Sequence, residues 1–109
     1  MLNIAVLVSG GGTNLQALLD SEARGENPSG KIRLVVASKP GVYALERAAN
    51  AGVEGVVVRR KDYASSEEFD AALLKTLKEH NIDLVVLAGF LSVLGPSVIE
   101  AYPRRILNI

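Results

Sequence analysis

Five short apolar runs divide the chain: Asn3–Val8, Ile32–Ala37, Gly55–Val58, Asp83–Ala88 and Ile106–Ile109. They are rich in Val, Ile, Leu and Ala, and they do not alternate with polar residues. A strand with one wet face shows a period of two, so unbroken runs predict strands covered on both faces, as in a parallel sheet. Between the runs the period changes. Leu15, Leu18 and Leu19 share one face of a first helix, with Gly25 as its stop. Leu45, Ala48 and Ala49 repeat the pattern, and Gly52 suits the position just past the helix end. Ser65 and Glu68 have the spacing of a capping box, and Phe69, Leu73 and Leu77 then recur every four residues. A shorter helix is predicted near Pro96–Tyr102, with Pro96 in its first turn. Asn27–Gly30 reads as a loop. The order β-α-β-α-β-α-β-α-β predicts right-handed crossovers and an α/β fold with a doubly wound, Rossmann-like, mainly parallel sheet.

The final run sits oddly in that scheme. Ile106–Ile109 reads as a strand that belongs inside the sheet, yet the sequence stops within it. An interior strand ending there leaves ladder groups unpaired and a sticky edge. The expectation is that residues 1–109 form the phosphate-binding part of one domain, cut short in its last strand, with a native edge strand as the alternative.

Composition narrows the function classes. With 109 residues the chain allows a single domain, and 49% hydrophobic content suffices for a packed core. Twelve Lys and Arg balance twelve Asp and Glu, which argues against a general nucleic-acid binder or an acidic-membrane binder. The absence of cysteine excludes disulfides, thiolate metal ligands and a thiol nucleophile, and no metal is expected. No signal-peptide pattern and no apolar stretch of membrane-spanning length is present, so a soluble cytoplasmic protein is the expectation.

Candidate chemistry lies in three places. The first is V-L-V-S-G-G-G-T-N-L-Q at residues 6–16. Glycines between a first strand and its helix let backbone N–H groups face a ligand, and the helix N-terminus adds unpaired donors and a positive dipole end. The pattern favours phosphate, with Thr13 and Asn14 adding side-chain donors; the same two residues also suit helix capping. It is not a Walker A loop, since no Gly-Lys-Ser/Thr follows. Nor is it a full dinucleotide fingerprint: Leu15 takes the third glycine position, and Ser38, Lys39 and Pro40 end the second strand without an acid. A mononucleotide-sized phosphate fits better than NAD.

The second place is D-L-V-V-L-A-G-F-L-S-V-L-G-P at 83–96, where Gly89 stands at a strand's carboxyl end. Leu87, Leu91, Val93, Leu94 and Val98 either line a pocket for a flat heterocycle or fill the core. The third is Asn108, an amide near the end of a core strand. Burying it unpaired is costly, and an asparagine there suits donation to an oxyanion; a capping or edge residue is the alternative. His80, the single histidine, reads as a surface residue beyond the third helix, and Asp70 and Asp83 as ordinary acids. Arg59-Arg60-Lys61 reads as a solvated loop, with an anion contact as the alternative.

Three motifs in order, S-G-G-G-T-N-L-Q at 9–16, L-A-G-F-L at 87–91 and R-I-L-N-I at 105–109, with L-E-R-A at 45–48 between them, make the chain similar over its whole length to the amino-terminal half of the phosphoribosylglycinamide formyltransferase family. The A-G-F and L-N-I elements are shared with the wider formyltransferase superfamily, including methionyl-tRNA formyltransferase and formyltetrahydrofolate deformylase. The resemblance implies that Gly11, Gly12, Thr13 and Asn14 hold the phosphate of glycinamide ribonucleotide. It implies that Gly89 meets the glycinamide, that Leu91, Ser92, Val93 and Leu94 meet 10-formyltetrahydrofolate, and that Leu87, Val98 and Ile106 are apolar walls. Many family members carry Arg where this chain has Ser92. Asn108 falls on the family's catalytic asparagine, and the family's histidine and aspartate fall after Ile109. The implied reaction is metal-free formyl transfer to the amine of glycinamide ribonucleotide in purine synthesis, with this piece alone inactive and the other half as a partner. A deformylase and a non-catalytic nucleotide-binding Rossmann module are the alternatives.

Overall fold

The computed structural model describes residues 1–26 and 28–109; of the predicted loop Asn27–Gly30, Asn27 lies outside the described residues. Five parallel strands form one sheet in the order β3-β2-β1-β4-β5. They are β1 (Leu2–Val8), β2 (Gly30–Ala37), β3 (Glu54–Val57), β4 (Leu84–Leu87) and β5 (Ile106–Asn108). The helices are α1 (Thr13–Ala23), α2 (Tyr43–Asn50), α3 (Ser66–Glu79) and α4 (Pro96–Ala101), with a 3₁₀ turn at Arg60–Asp62 that the sequence did not signal.

Alternation along the central strand divides the core in two. Ile4, Val6 and Val8 face Leu15 and Leu19 of α1 and Ala44 and Ala48 of α2. Ala5 and Leu7 face Phe69, Leu73 and Leu77 of α3, Val98 of α4, and Tyr102. Helices therefore cover both faces, as a doubly wound parallel sheet requires. Next to β1 the period slips: Ile4 is opposite Ile32 but Ala5 is opposite Leu34. The extra residue is Arg33, whose exposed side chain donates to Asn3 Oδ1 at 3.2 Å. The bulge sends Ile32 and Leu34 into opposite halves of the core.

Burial on both faces holds for β1, most of β2 and the middle of β4. It fails for β3 and β5, which sit at the two edges of the sheet. Val57 and Leu107 are exposed there because each edge strand has one neighbour only. The predicted helix ends are present. Gly52 N–H bonds to Ala49 C=O and Val53 N–H to Ala48 C=O, with Gly52 at φ 74°. Ser65 caps α3 by accepting from Glu68 N–H at 3.1 Å, while the Glu68 carboxylate accepts from Ala64 N–H.

Candidate functional site

The glycine loop leads from the buried end of β1 into α1. Gly12 is the residue before the helix, at φ 81° and ψ 35°, and no side chain caps α1. Thr13 is the first helical residue, so neither it nor Asn14 caps; both side chains are exposed and available to a ligand. Arg47 of α2, unassigned in the sequence reading, braces the loop. Its Nε donates to Gly11 C=O at 2.7 Å and its Nη1 to Gln16 Oε1 at 3.2 Å, and the guanidinium lies 4.7 Å from the Tyr43 ring centre. With that carbonyl turned to Arg47, the N–H groups of Gly10 to Asn14 donate to no acceptor among the described residues. Free N–H groups at a helix N-terminus form an anion cradle.

The loop after β4 lies at the same carboxyl end of the sheet. Gly89 turns it at φ 71°. Leu91 N–H donates to Ser9 Oγ at 2.8 Å, and Ser9 Oγ lies 2.6 Å from Ser38 Oγ. Farther on, the carboxylate of Asp70 accepts from Gly95 N–H at 2.9 Å and Ser97 N–H at 2.8 Å. Asp70 is only 2% exposed, so it is a buried anchor for this loop and for α4 rather than an ordinary surface acid. Asp83 likewise accepts from Asn3 N–H at 2.8 Å.

Between these anchors Leu91 and Val93 stand 79% and 84% exposed, with Ser92 and Leu94 half-buried. The predicted apolar wall is smaller than expected. Val98 is wholly buried in the core, where α4 turns it toward α3, and Leu87 and Ile106 pack against the same cluster. Beside the loop lies a cavity of about 570 Å³, lined by Ser38, Lys39, Pro40, Arg59, Arg60, Lys61, Leu91 and Ser92. A second cavity of about 370 Å³ shares Arg60, Leu91 and Ser92 and adds Phe69 and Val93. The basic triplet is thus one wall of a cavity with no carboxylate in its lining, rather than only a solvated loop. Arg59 is paired with Asp62 at 3.0 Å, and Arg60 Nη1 donates to Tyr63 C=O.

Asn108 stands opposite Leu87 in β5, at the carboxyl end with the two loops, but its side chain is exposed. The burial argument for it therefore does not apply, because β5 is an edge strand. His80 is no plain surface residue. Its Nδ1 is 2.7 Å from Thr76 C=O and its Nε2 is 3.0 Å from the Glu54 carboxylate. Both neighbours are acceptors, so the doubly protonated ring fits best, and the Thr76 carbonyl, then Glu54, raise its pKa. It joins the end of α3 to the start of β3, away from the carboxyl end. Among the described residues no helix is long and apolar enough to cross a membrane, and no group of three His, Asp or Glu is placed to hold a metal ion.

Residues 2–109 match the family model described as formyl transferase. The chain belongs to the formyl transferase family. Its relatives include a trifunctional purine biosynthetic protein adenosine-3 from Drosophila melanogaster, 43% identical over 97% of this chain and 8% of that protein. The phosphoribosylglycinamide formyltransferase of Haemophilus influenzae is 39% identical over 100% of this chain and 51% of that protein. Among solved structures, a glycinamide ribonucleotide transformylase from Symbiobacterium toebii superposes with a TM-score of 0.94 at 42% identity, covering 99% of this chain and 50% of that one. The chain thus spans about half the length of the Haemophilus influenzae formyltransferase and the Symbiobacterium toebii transformylase, and 8% of the Drosophila melanogaster protein.

Proposed function

We propose that the whole protein transfers the formyl group of 10-formyltetrahydrofolate to the amine of glycinamide ribonucleotide, in the cytoplasm, as a step of purine synthesis. The observation that carries this reading is the meeting of an anion cradle at Gly10–Asn14 with the exposed apolar loop Leu91–Leu94 at one end of the sheet. The relatives' names point the same way.

In this reading Gly11, Gly12, Thr13 and Asn14 hold the ribonucleotide phosphate, remote from the reacting amine, and its binding energy orients that amine past Gly89. The folate ring lies along Leu91, Val93 and Leu94, and its carboxylates face Lys39, Arg60 and Lys61 across the cavity. The amine nitrogen attacks the formyl carbon, and a tetrahedral oxyanion forms, to which the Asn108 amide donates. The bond from that carbon to N10 then breaks, and the proton lost by the amine goes to N10. No histidine of this chain serves the transfer, since His80 is held by Thr76 and Glu54 elsewhere. The polypeptide that corresponds to the relatives' other half supplies the remaining groups and completes the sheet beside β5.

Asn108→Ala in the whole enzyme is expected to lower kcat by about 10²–10³-fold with KM little changed; unaltered turnover removes Asn108 from the mechanism. Formate release without ribonucleotide, at the rate seen with it, would instead make the protein a deformylase.

A further inference from the structure

Three loops at the carboxyl edge of the sheet meet at two buried hydroxyl groups. Ser9 follows β1 and leads directly into Gly10, Ser38 follows β2, and Leu91 lies in the loop after β4. Ser9 and Ser38 are only 5% and 9% exposed, with their Oγ atoms 2.6 Å apart, and Leu91 N–H donates to Ser9 Oγ at 2.8 Å. A serine hydroxyl has one hydrogen and two lone pairs. Ser9 Oγ therefore accepts from Leu91 N–H with one lone pair and still bonds Ser38 Oγ, with either hydroxyl as the donor.

Among the described residues this tether is the single backbone N–H anchor of its loop. Ala88 N–H bonds to Leu7 C=O and Gly95 N–H to Asp70; between them, Leu91 alone donates to an acceptor among the described residues. On the other side, Gly10 and Gly11 have nothing within 4 Å of where a Cβ would stand, so an anion has open space beside the glycine loop. Ser9 Oγ is two bonds from the backbone that leads into Gly10, so one side chain and one hydrogen bond separate the glycine loop from the Leu91 amide.

We propose that Ser9 is a positioning residue that couples the two halves of the site: an anion held by the glycine loop sets the conformation of Leu91–Leu94, and a ligand on that loop tightens the anion site by the same factor. The proposal rests on the phosphate reading of Gly10–Asn14.

The test is amide NMR of the 109-residue chain titrated with inorganic phosphate, for the wild type, Ser9→Ala, Ser9→Thr and Ser38→Ala. In the wild type, the amides of Gly10–Asn14 and of Leu91–Leu94 are expected to shift with one midpoint. In Ser9→Ala the glycine-loop shifts persist, those of Leu91–Leu94 vanish, and the Leu91 amide exchanges about tenfold faster. Ser9→Thr, which keeps the hydroxyl, and Ser38→Ala, which keeps the Leu91 bond, retain the linked shifts. A wild type in which only the glycine loop responds overturns the coupling, as does a Leu91–Leu94 response that survives Ser9→Ala. If saturating phosphate moves no glycine-loop amide, the phosphate reading fails, and ligand-free exchange decides the coupling. Faster exchange at both loops in Ser9→Ala but not in Ser9→Thr sustains it, and a change confined to Leu91 overturns it.

Discussion

At Gly12 the backbone is left-handed, and a Cβ placed there would stand 2.8 Å from the Cβ of Ala44. Gly10 and Gly11 meet nothing. The three glycines therefore answer different demands: Gly12 lets α2 seat against the loop, and its neighbours leave space for a ligand. Gly12→Ala is expected to lose about 1–3 kcal/mol of stability in urea denaturation, from the positive φ and the forced displacement of α2. Gly11→Ala should cost about 0.5 kcal/mol or less by comparison. Equal losses would mean that α2 does not constrain the turn. The glycine run, Thr13 and Asn14 were legible because strand, loop and helix are contiguous in sequence. Arg47 and Asp70 were not, because their partners are 36 and 25 residues away and nothing local distinguishes a bracing cation or a buried carboxylate from a solvated one. For Val98 both a pocket wall and a core position stayed open for a related reason: an apolar residue beside a pocket and one beneath it look the same in a string of letters.

Among the elements, α3 and β3 are joined by an exposed clasp whose strength varies with pH. The His80 ring lies between Thr76 C=O and Glu54, and its pKa is raised above 6.5 in the folded chain. The folded state thus binds the proton more tightly than the unfolded chain does. The stabilisation is fully present below pH 6.5 and fades as pH rises through the folded-state value. Solvent around Glu54 keeps it below about 1 kcal/mol. His80→Gln should therefore destabilise the chain more at pH 5.5 than at pH 8.5 in parallel urea titrations, and a pH-independent difference would show that the clasp carries no charge. The elements themselves were legible, with the predicted strands matching to within two residues, because apolar runs and cap residues are local signals. Two features were not. The bulge at Arg33 places Ile32 and Leu34 on opposite faces, which depends on how β2 registers against β1. The exposure of β3 and β5 depends on strand order, which no single run encodes.

Across the whole molecule the two faces of the sheet are unequally covered. The face under α3 and α4 is closed by Phe69, Leu73, Leu77 and Val98. The face under α1 is open beside β4 and β5, where a cavity of about 150 Å³ is lined by Leu18, Ile32, Leu84, Val86, Leu107 and Ile109. Leu107 and Ile109 are 50% and 54% exposed beside the free edge of β5. An open edge next to an apolar groove is a pairing surface. The chain covers 50% of the Symbiobacterium toebii transformylase. Given both substrates, the 109-residue chain alone is expected to transfer no formyl group. Mixed with the polypeptide equivalent to the other half of such a relative, it should form a one-to-one complex by size-exclusion chromatography and gain activity. Leu107→Asp places a charge on the groove while leaving the buried core untouched, so it should weaken the complex at least about tenfold without lowering the chain's own Tm. An unaffected complex would move the partner's seat away from β5. Full activity in a sample holding only these residues would show that the site needs no second half at all.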